Sequence, residues 1–156
     1  MSRLIKFLGS VYFLLILHVD AQTQEITEEH KDSLRIVVEQ YYDLNLKIYQ
    51  KNSSRDDVDN LFELFTDDFV YVHPRYGGSY SRKDIYEGYI NNQSNGSYDG
   101  SIADLEIRNL IVGLNGIATD RVYFRKSKSG EIEEVDPGMS LFEFRDGKIS
   151  KIVEYW

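Results

Sequence analysis

Three side chains in this sequence have the chemistry expected of an acid–base site. His73 is the best candidate for a general acid or base, because imidazole gains and loses a proton near neutral pH. Glu154 could orient that imidazole, as a carboxylate does in a histidine dyad. Tyr41 could donate a hydrogen bond to a substrate carbonyl or enolate oxygen. Each has a structural alternative. His73 could be a structural histidine before Pro74 that is hydrogen-bonded to the backbone, Glu154 could be a solvated charge at an open rim, and Tyr41 could be a core aromatic.

Strand alternation predicts which side chains share a wall with these candidates, because alternate residues of a strand face the same side of a sheet. The inward sets we expect are Phe69, Tyr71 and His73; Ser140, Phe142 and Phe144; and Ile152, Glu154 and Trp156. Aromatic walls around a few polar groups are typical of a small-molecule site, so we predict a small apolar or aromatic ligand. The residues predicted to bind it are Phe69, Tyr71, Ser140, Phe142 and Trp156.

Other chemistries lack the residues they need. The 156-residue chain has no cysteine, which excludes disulfides, thiolate nucleophiles and sulfur-ligated metal centres. Its three histidines show no His-x-x-x-His spacing, so we predict no metal site. We also expect no cofactor. The formal net charge is −8, from 18 basic and 26 acidic residues. This charge argues against a nucleic-acid partner, since affinity for a polyanion depends mainly on neutralising its phosphates.

Residues 1–21 have the features of a secretory signal, with basic Arg3 and Lys6, an apolar run over 11–17 and small residues up to Ala21. We expect cleavage after Ala21, a domain spanning residues 22–156, and a secreted or periplasmic protein. An uncleaved anchor is the alternative, although the apolar run is shorter than the roughly 20 residues that span a bilayer. No membrane association is expected after signal removal. The N-glycosylation pattern occurs at Asn52, Asn92 and Asn95.

Apolar residues at helical spacing predict three helices, which would position the N-terminal candidates. The first covers about residues 27–50 and places Tyr41 on its apolar face. The second follows a polar break, and its buried stripe is Val58, Leu61, Phe62 and Phe65. A strand over residues 69–73 ends at Pro74, and residues 75–80 are a loop. The third helix runs through Ile90 after a capping box that begins at Ser81.

The second half of the chain changes to the two-residue period of strands. Asn-Gly, Ser-Gly and Asp-Gly turn signals separate strands near residues 102–113, 117–128, 131–145 and 148–156. Asp136-Pro137-Gly138 is expected to form a bulge, because proline cannot donate to the sheet ladder. The order α-α-β-α-β-β-β-β predicts an α+β domain. Three helices would pack in the concave face of a curved, mostly antiparallel sheet.

Several short motifs add a family resemblance that extends from about residue 27 to 156. Tyr41-Tyr42-Asp43-Leu44 resembles the segment that carries the catalytic tyrosine of ketosteroid isomerase. Thr66-Asp67-Asp68 followed by Val72-His73-Pro74 resembles the stretch that leads to that enzyme's general base. The closing hairpin, Phe144 to Ile149, and the final Tyr155-Trp156 pair are also similar. In their order and spacing, these motifs resemble the nuclear transport factor 2-like superfamily, which includes the SnoaL-like polyketide cyclases.

The resemblance implies a cone-shaped fold with a ligand cavity, and it places Tyr41 at the catalytic tyrosine. His73 occupies the general-base position. The position of the isomerase's buried acid, which donates to the oxyanion, holds Ser140, and a serine cannot fill the same role. Two functions stay open. The first is cofactor-free acid–base chemistry, of the isomerase, cyclase or dehydratase type, on a small cyclic or aromatic carbonyl compound. The second is a non-catalytic ligand-binding or dimerisation module, with a homodimer formed through the outer face of the sheet.

Overall fold

The computed structural model of the protein describes residues 26–155, which contain three helices. These are α1 (Glu28–Ile48), α2 (Arg55–Phe62) and α3 (Arg82–Ser94). Each begins after a hydroxyl residue, Thr27, Ser54 or Ser81, a residue type that favours helix starts. The predicted signal at residues 1–21 and the predicted wall residue Trp156 lie outside the described residues. Within residues 26–155, no helix is long and apolar enough to cross a membrane.

The same part of the chain forms six strands in one open, curved sheet. They are β1 (Phe65–His73), β2 (Gly78–Ser81), β3 (Ile102–Val112), β4 (Gly116–Lys126), β5 (Ile132–Arg145) and β6 (Lys148–Tyr155). Their order across the sheet is β2-β1-β6-β5-β4-β3. The β1–β6 pair is parallel and the other four neighbouring pairs are antiparallel. Register shifts interrupt several pairs, and such irregularities bend strands and curve a sheet.

The core joins α1 and α2 to the centre of the sheet. Phe142 of β5 is fully buried, and its ring lies edge-on to Tyr41 and Tyr42 of α1, with centroids 5.2 and 5.7 Å away. Aromatic pairs in this geometry add to the free energy gained by burial. Phe65 and Phe69 of β1 stack at 4.0 Å between centroids. This rigid aromatic core holds one end of the concave face in place.

The α+β class and the helices-in-a-curved-sheet arrangement are confirmed, with two differences in detail. Phe65, predicted on the stripe of the second helix, begins β1 instead. Residues 78–80, predicted as part of a loop, form the edge strand β2 together with the helix-capping Ser81, and this strand pairs with β1 through Tyr71 opposite Tyr80. An edge strand is held by backbone hydrogen bonds, so its polar, glycine-containing sequence carries no apolar alternation to reveal it.

Candidate functional site

A cavity of about 480 Å³ lies between the helices and the concave face of the sheet. Among the described residues, eight of the chain's 12 tyrosines line it. They are Tyr41, Tyr49, Tyr71, Tyr76, Tyr80, Tyr89, Tyr98 and Tyr123. Phe65, Phe69, Ile85 and Ile152 complete its apolar surface. A wall so rich in phenols combines flat apolar faces with hydroxyl groups, which suits a ring-shaped ligand carrying a few oxygen atoms.

A buried asparagine connects the two helices that supply the upper wall. Tyr41, Asn45 and Tyr49 follow at four-residue steps, so they share one face of α1 and its C-cap. Asn45 is 1% exposed, and its side-chain amide donates to the Tyr41 carbonyl at 2.8 Å. Its side-chain oxygen accepts a hydrogen bond from the Tyr89 hydroxyl of α3. The Tyr89 ring is thereby fixed against α1.

The opposite wall contains a buried ion pair between β4 and β6. Arg121 and Glu154 are 3% and 4% exposed, and an Arg121 Nη2–H donates to Glu154 Oε2 at 3.2 Å. Ser140 Oγ donates to the same carboxylate oxygen at 2.8 Å. The Arg121 guanidinium also lies 4.7 Å from the Tyr123 ring centroid. The pair therefore gives the cavity a strong local dipole without adding net charge.

A backbone irregularity holds the arginine in that position. Asp136 has a φ of +50°, in the left-handed region, and its carbonyl accepts a hydrogen bond from Arg121 Nη1 at 2.6 Å. The register of β4 and β5 shifts at the same place, so the bulge predicted at Asp136-Pro137-Gly138 is confirmed. A left-handed aspartate is strained by about 1 kcal/mol or more. The bulge turns the Asp136 carbonyl towards a side chain that needs an acceptor.

His73 stands at the end of β1, where the chain turns into a short 3-10 helix at Pro74–Tyr76. It is 3% exposed and lines the cavity. Its ring lies 4.3 Å from that of Tyr76 and 6.2 Å from that of Tyr71, measured between centroids. Tyr76 is 62% exposed, so this aromatic group runs from the solvent-facing turn to the inside of the cavity.

The cavity tyrosines are hydrogen-bond donors over a wide pH range. Burial raises the pKa of Tyr41 well above its ordinary value, and the Glu154 carboxylate adds to that rise. Burial likewise raises the pKa of Tyr89 and of Tyr123 well above the ordinary value. These hydroxyls therefore stay protonated at neutral pH. A protonated phenol can stabilise negative charge that develops on a ligand oxygen.

The structure brings most of the predicted site residues to one cavity. Those that line it are Tyr41, Phe69, Tyr71, His73 and Glu154. Ser140 and Phe142 face the same side of the sheet but are fully buried behind the wall. Ser140 supports Glu154 there, and Phe142 packs against the α1 tyrosines. The described hydrogen bonds of Glu154 come from Ser140 and Arg121, so its action on His73 stays a prediction.

Sequence reasoning missed Arg121 and six of the eight lining tyrosines. In β4, Ile117, Thr119 and Arg121 alternate towards the concave face, so the alternation applied to other strands would have found the arginine. Tyr49 lies at the C-terminal end of the predicted first helix, where it was not considered as a site residue. Tyr98 lies in a polar loop with no periodic signal, and only the folded chain shows that it faces the cavity.

Among residues 26–155, no group of three or more His, Cys, Asp or Glu side chains could hold a metal ion. The groups that the cavity does offer are an imidazole, several phenols and a guanidinium–carboxylate pair. Together they can transfer protons and stabilise an oxyanion.

Comparison with known proteins finds a family that matches the sequence and solved structures that share the fold. The family model of the SnoaL-like domain matches residues 38–152. A protein provisionally described as a SnoaL-like polyketide cyclase, from Jannaschia sp. CCS1, is 15% identical, with 85% of this chain and 90% of that chain covered at a TM-score of 0.57. A protein provisionally described as a ketosteroid isomerase, from Kribbella flavida DSM 17836, is 16% identical, with 81% and 78% covered at a TM-score of 0.57.

An NTF2-like protein from Anabaena variabilis ATCC 29413 is 13% identical, with 84% of this chain and 94% of that chain covered at a TM-score of 0.57. At these identities the structures share the fold with this protein, and no curated protein matches the chain. The family match covers most of the sequence and agrees with the observed sheet and helices. The chain belongs to the SnoaL-like domain family, and it shares the fold of the NTF2-like protein.

Proposed function

We propose that this protein binds a small cyclic or aromatic carbonyl compound in the tyrosine-lined cavity and carries out cofactor-free acid–base chemistry on it. One observation carries the proposal: His73, Tyr41 and Glu154 come from three elements that are distant in sequence, and they line the same cavity. Burial alone requires no such convergence of an imidazole, a phenol and a carboxylate on one cavity. The isomerase, cyclase and dehydratase classes all use this type of proton transfer.

The proposed step is removal of a proton next to the carbonyl group. The His73 imidazole accepts the proton, and the electron pair of the broken C–H bond moves to the carbonyl oxygen to form an enolate. A Tyr41 O–H hydrogen bond stabilises that oxygen. The protonated imidazole then returns the proton to a carbon of the same compound, so the reaction needs no redox partner. The Arg121–Glu154 dipole is a second source of charge stabilisation at the wall.

The ligand class follows from the size and surface of the cavity. A volume of about 480 Å³ falls within the range of about 300 to 1,000 Å³ that is usual for small-molecule sites. The flat phenol rings can stack on a planar ring, and their hydroxyls can bind its oxygen atoms. The provisional description of the Jannaschia protein as a polyketide cyclase supports a ligand of this kind.

Exchange of the α protons of 2-tetralone in deuterium oxide, followed by proton NMR, tests the chemistry directly. The wild-type protein should accelerate exchange. His73→Ala should slow it by about 100-fold or more, and Tyr41→Phe by about 100-fold, because each removes a group used only in proton transfer or in stabilising the enolate. Unchanged rates in both variants would refute the assignment.

Matched controls separate the site from general effects on the fold. His30→Ala removes a partly buried histidine, and Tyr155→Phe removes a hydroxyl from a half-exposed tyrosine; both residues lie outside the cavity lining. Both should leave the exchange rate unchanged. A protein that binds 2-tetralone in a thermal-shift assay but gives no exchange above buffer would instead support the non-catalytic ligand-binding alternative.

A second candidate, a homodimer formed through the sheet, is favoured by an apolar row on the outer face. Strand register places five apolar residues side by side across five strands: Ile111, Ala118, Leu141, Val153 and Val72. Ile111 is 72% exposed, and exposed Met139 and Tyr155 form the adjoining row. A two-fold interface needs a self-complementary patch, and the row can meet a second copy of itself. We propose this homodimer as an assembly compatible with either function.

Export is proposed on the sequence of residues 1–21 alone. The basic start, short apolar run and small residues before position 22 support a cleavable signal. Expression of the full chain in a secreting host, followed by mass spectrometry of the product, tests this. We expect a mature N-terminus at Gln22 in the secreted or periplasmic fraction, and an intact N-terminus in the membrane fraction would indicate an uncleaved anchor.

A further inference from the structure

A second cavity, of about 280 Å³, adjoins the first. The two share four lining residues, Tyr49, Tyr98, Arg121 and Tyr123. Because the same side chains face both cavities, a single layer of side chains separates them. Aromatic contacts connect the side chains of this layer. The ring centroids of Tyr49 and Tyr98 are 5.4 Å apart, and those of Tyr49 and Tyr123 are 6.0 Å apart.

The second cavity differs from the first in chemistry. Beyond the shared layer, its lining includes Ser97, Asp99, Ser101, Arg125 and Asp136. These side chains offer guanidinium donors, carboxylate acceptors and hydroxyls that can do both. By contrast, aromatic and aliphatic groups dominate the wall of the main cavity. A ligand that fills both would be apolar at one end and rich in hydrogen-bonding groups at the other.

The charges of the second cavity balance, which limits the kind of group it suits. Arg125 lies 3.5 Å from Asp136, and both side chains are 48% exposed, so each keeps hydrogen-bonding capacity for a ligand. Asp99 accepts a hydrogen bond from the Ser101 N–H at 2.8 Å, and hydrogen bonding by the Ser101 side chain together with this N–H lowers the pKa of Asp99. Each charge here already has a counter-charge: Arg121 has Glu154, Arg125 has Asp136, and the Lys51 charge acts on Asp99. The lining therefore favours neither an anion nor a cation. They suit an uncharged group with several hydroxyls.

One member of the shared layer lies on a loop. Tyr98 stands between Gly96 and Gly100, whose φ angles of +78° and +73° lie in the left-handed region that glycine favours. Asn92 Nδ2 donates to the Tyr98 hydroxyl at a long 3.5 Å. Tyr49 and Tyr123, in contrast, project from the end of α1 and from β4. Rotation of the Tyr98 side chain is therefore the simplest way to connect the two cavities.

We propose that the second cavity is a subsite for an uncharged, hydroxyl-rich substituent, such as a sugar or polyol, on a ligand whose ring occupies the main cavity. Tyr98 separates the two parts and turns aside when such a ligand binds. The inference rests on the proposed function, because it assigns a second half to the ligand of the same site. It narrows the substrate class from a cyclic compound to one carrying a polar, neutral side group.

Two probes that share a ring but differ in this substituent test the proposal. We would measure the Kd of 2-methoxynaphthalene and of 2-naphthyl β-D-glucopyranoside by fluorescence titration. The glucoside should bind about tenfold more tightly or better, the effect of one or two added hydrogen bonds to charged groups. Asp99→Asn and Arg125→Gln should each weaken glucoside binding about tenfold and leave 2-methoxynaphthalene binding unchanged.

The control variant is Arg108→Gln, which makes the same charge change at an exposed position on β3 that pairs with Glu134. It should leave the binding of both probes unchanged. Equal affinities for the two probes, or glucoside binding insensitive to both subsite variants, would overturn the inference while leaving the proposed function intact. Tighter binding of 2-naphthoxyacetate than of the glucoside would also overturn it, in favour of an anionic group. Failure of every probe to bind would contradict the proposed function itself.

Discussion

The Arg121–Glu154 pair is the feature of the cavity whose energetics are most demanding. Both groups are buried, so each has lost most of its hydration, and their contacts with each other, Ser140, the Tyr123 ring and the Asp136 carbonyl offset part of that loss. A buried pair of this type often contributes little net stability, because desolvation offsets the attraction between the charges. Its presence at a cavity wall is therefore better explained by function than by folding.

Removing one charge of the pair should be costly. Glu154→Gln keeps the size of the side chain but leaves the Arg121 charge buried without its carboxylate. We expect the free energy of unfolding, measured by urea denaturation at pH 7, to fall by about 3 kcal/mol. The exposed pair of Arg145 and Asp68 gives the control, since Asp68→Asn should leave the stability unchanged within error. A similar loss of stability in both variants would contradict the expected cost of leaving the Arg121 charge buried without its carboxylate.

The raised tyrosine pKa values predict a loss of stability in alkali. Burial raises the pKa of Tyr98 to about 12 and that of Tyr41 well above the ordinary value, which is about 10 in an unfolded chain. A group with a raised pKa in the folded state contributes stability that is complete below the unfolded value and is lost as the pH rises through the folded one. The free energy of unfolding should therefore decline between about pH 10 and 12.

Phenolate absorbance at 295 nm, recorded beside circular dichroism, checks this alkaline transition. Part of the absorbance change should be delayed until the fold is lost, and Tyr98→Phe should reduce the decline in stability over this range. Ionisation of all tyrosines near pH 10 in a folded protein would contradict the buried, phenol-lined cavity.

At the scale of single residues, sequence patterns found several of the site residues that lie on regular elements, although not those of β4 and α3. His73, Tyr71 and Phe69 follow from alternation in one strand, and Tyr41 follows from helical spacing. Tyr98 could not be found this way, because a loop has no period and its packing depends on residues far along the chain. The sequence also could not predict which of these side chains contact each other. Nothing local indicates that Glu154 meets Arg121 across two strands, 33 positions away.

Among the elements, α2 is a short helix that is stabilised by a capping contact and by an ion pair with α1. It spans eight residues, fewer than a helix needs to be stable alone in water. The Asp57 carboxylate accepts the Ser54 N–H at 2.7 Å and lies 2.6 Å from Lys47 Nζ of α1. A single side chain thus caps α2 and ties it to α1. The Lys47 contact and the Ser54 N–H together lower the pKa of Asp57.

This arrangement predicts a pH-dependent contribution from Asp57. Asp57→Asn should lower the free energy of unfolding by about 1 kcal/mol at pH 7, because the cap is weakened and the contact with Lys47 is lost. The folded-state pKa is lowered, so the contribution is present above the unfolded value of about 3.9 and is lost as the pH falls through the folded value. Wild type and variant should therefore converge in denaturation measured at decreasing pH.

Asp56→Asn is the matched control for that measurement. It removes the same charge from the first turn of α2, but Asp56 is exposed and does not make the Lys47 contact. It should have a smaller effect at pH 7. A constant difference between wild type and Asp57→Asn at all pH values would refute the role of the ionised cap.

The order of elements was largely predictable because helices and strands here have clean periods, glycine turns and capping residues. The start of β1 was not, since Phe65 continues the apolar spacing of α2 while its backbone pairs with β6 opposite Ile149. β2 was missed for a related reason. Its pairing partner, and not its own sequence, makes it a strand. Local patterns fail where a distant strand decides the local conformation.

For the whole molecule, the two faces of the sheet have different expected partners. The concave face holds the cavity, while the convex face carries the apolar row from Ile111 to Val72. Glu143 and Lys151, which form an ion pair at 3.0 Å, border the row on one side. An apolar centre with a charged border is the usual layout of a protein interface. The second copy of the chain is therefore proposed on this face.

Ile111→Lys tests the assembly. A charge at the most exposed apolar position of the row should shift the protein from dimer to monomer in sedimentation velocity, because an uncompensated charge within an apolar interface is unfavourable. Ile132→Lys is the control, since Ile132 is 55% exposed on β5 and lies outside the row. A monomeric wild type, or a variant that dimerises equally well, would contradict the proposed homodimer.

The parallel pairing of β1 with β6 has a consequence for how the protein reaches its folded state. Asp68 and Arg145, an ion pair beside this junction, are 77 positions apart, so closing the junction requires ordering a very long loop. The β3–β6 meander, by contrast, can form from hairpins between neighbouring strands. We expect joining of β1 to the finished meander to be the late, slow event of refolding. In stopped-flow experiments, Val70→Ala at the junction should then mainly accelerate unfolding, and an equal slowing of refolding would place the junction in the nucleus.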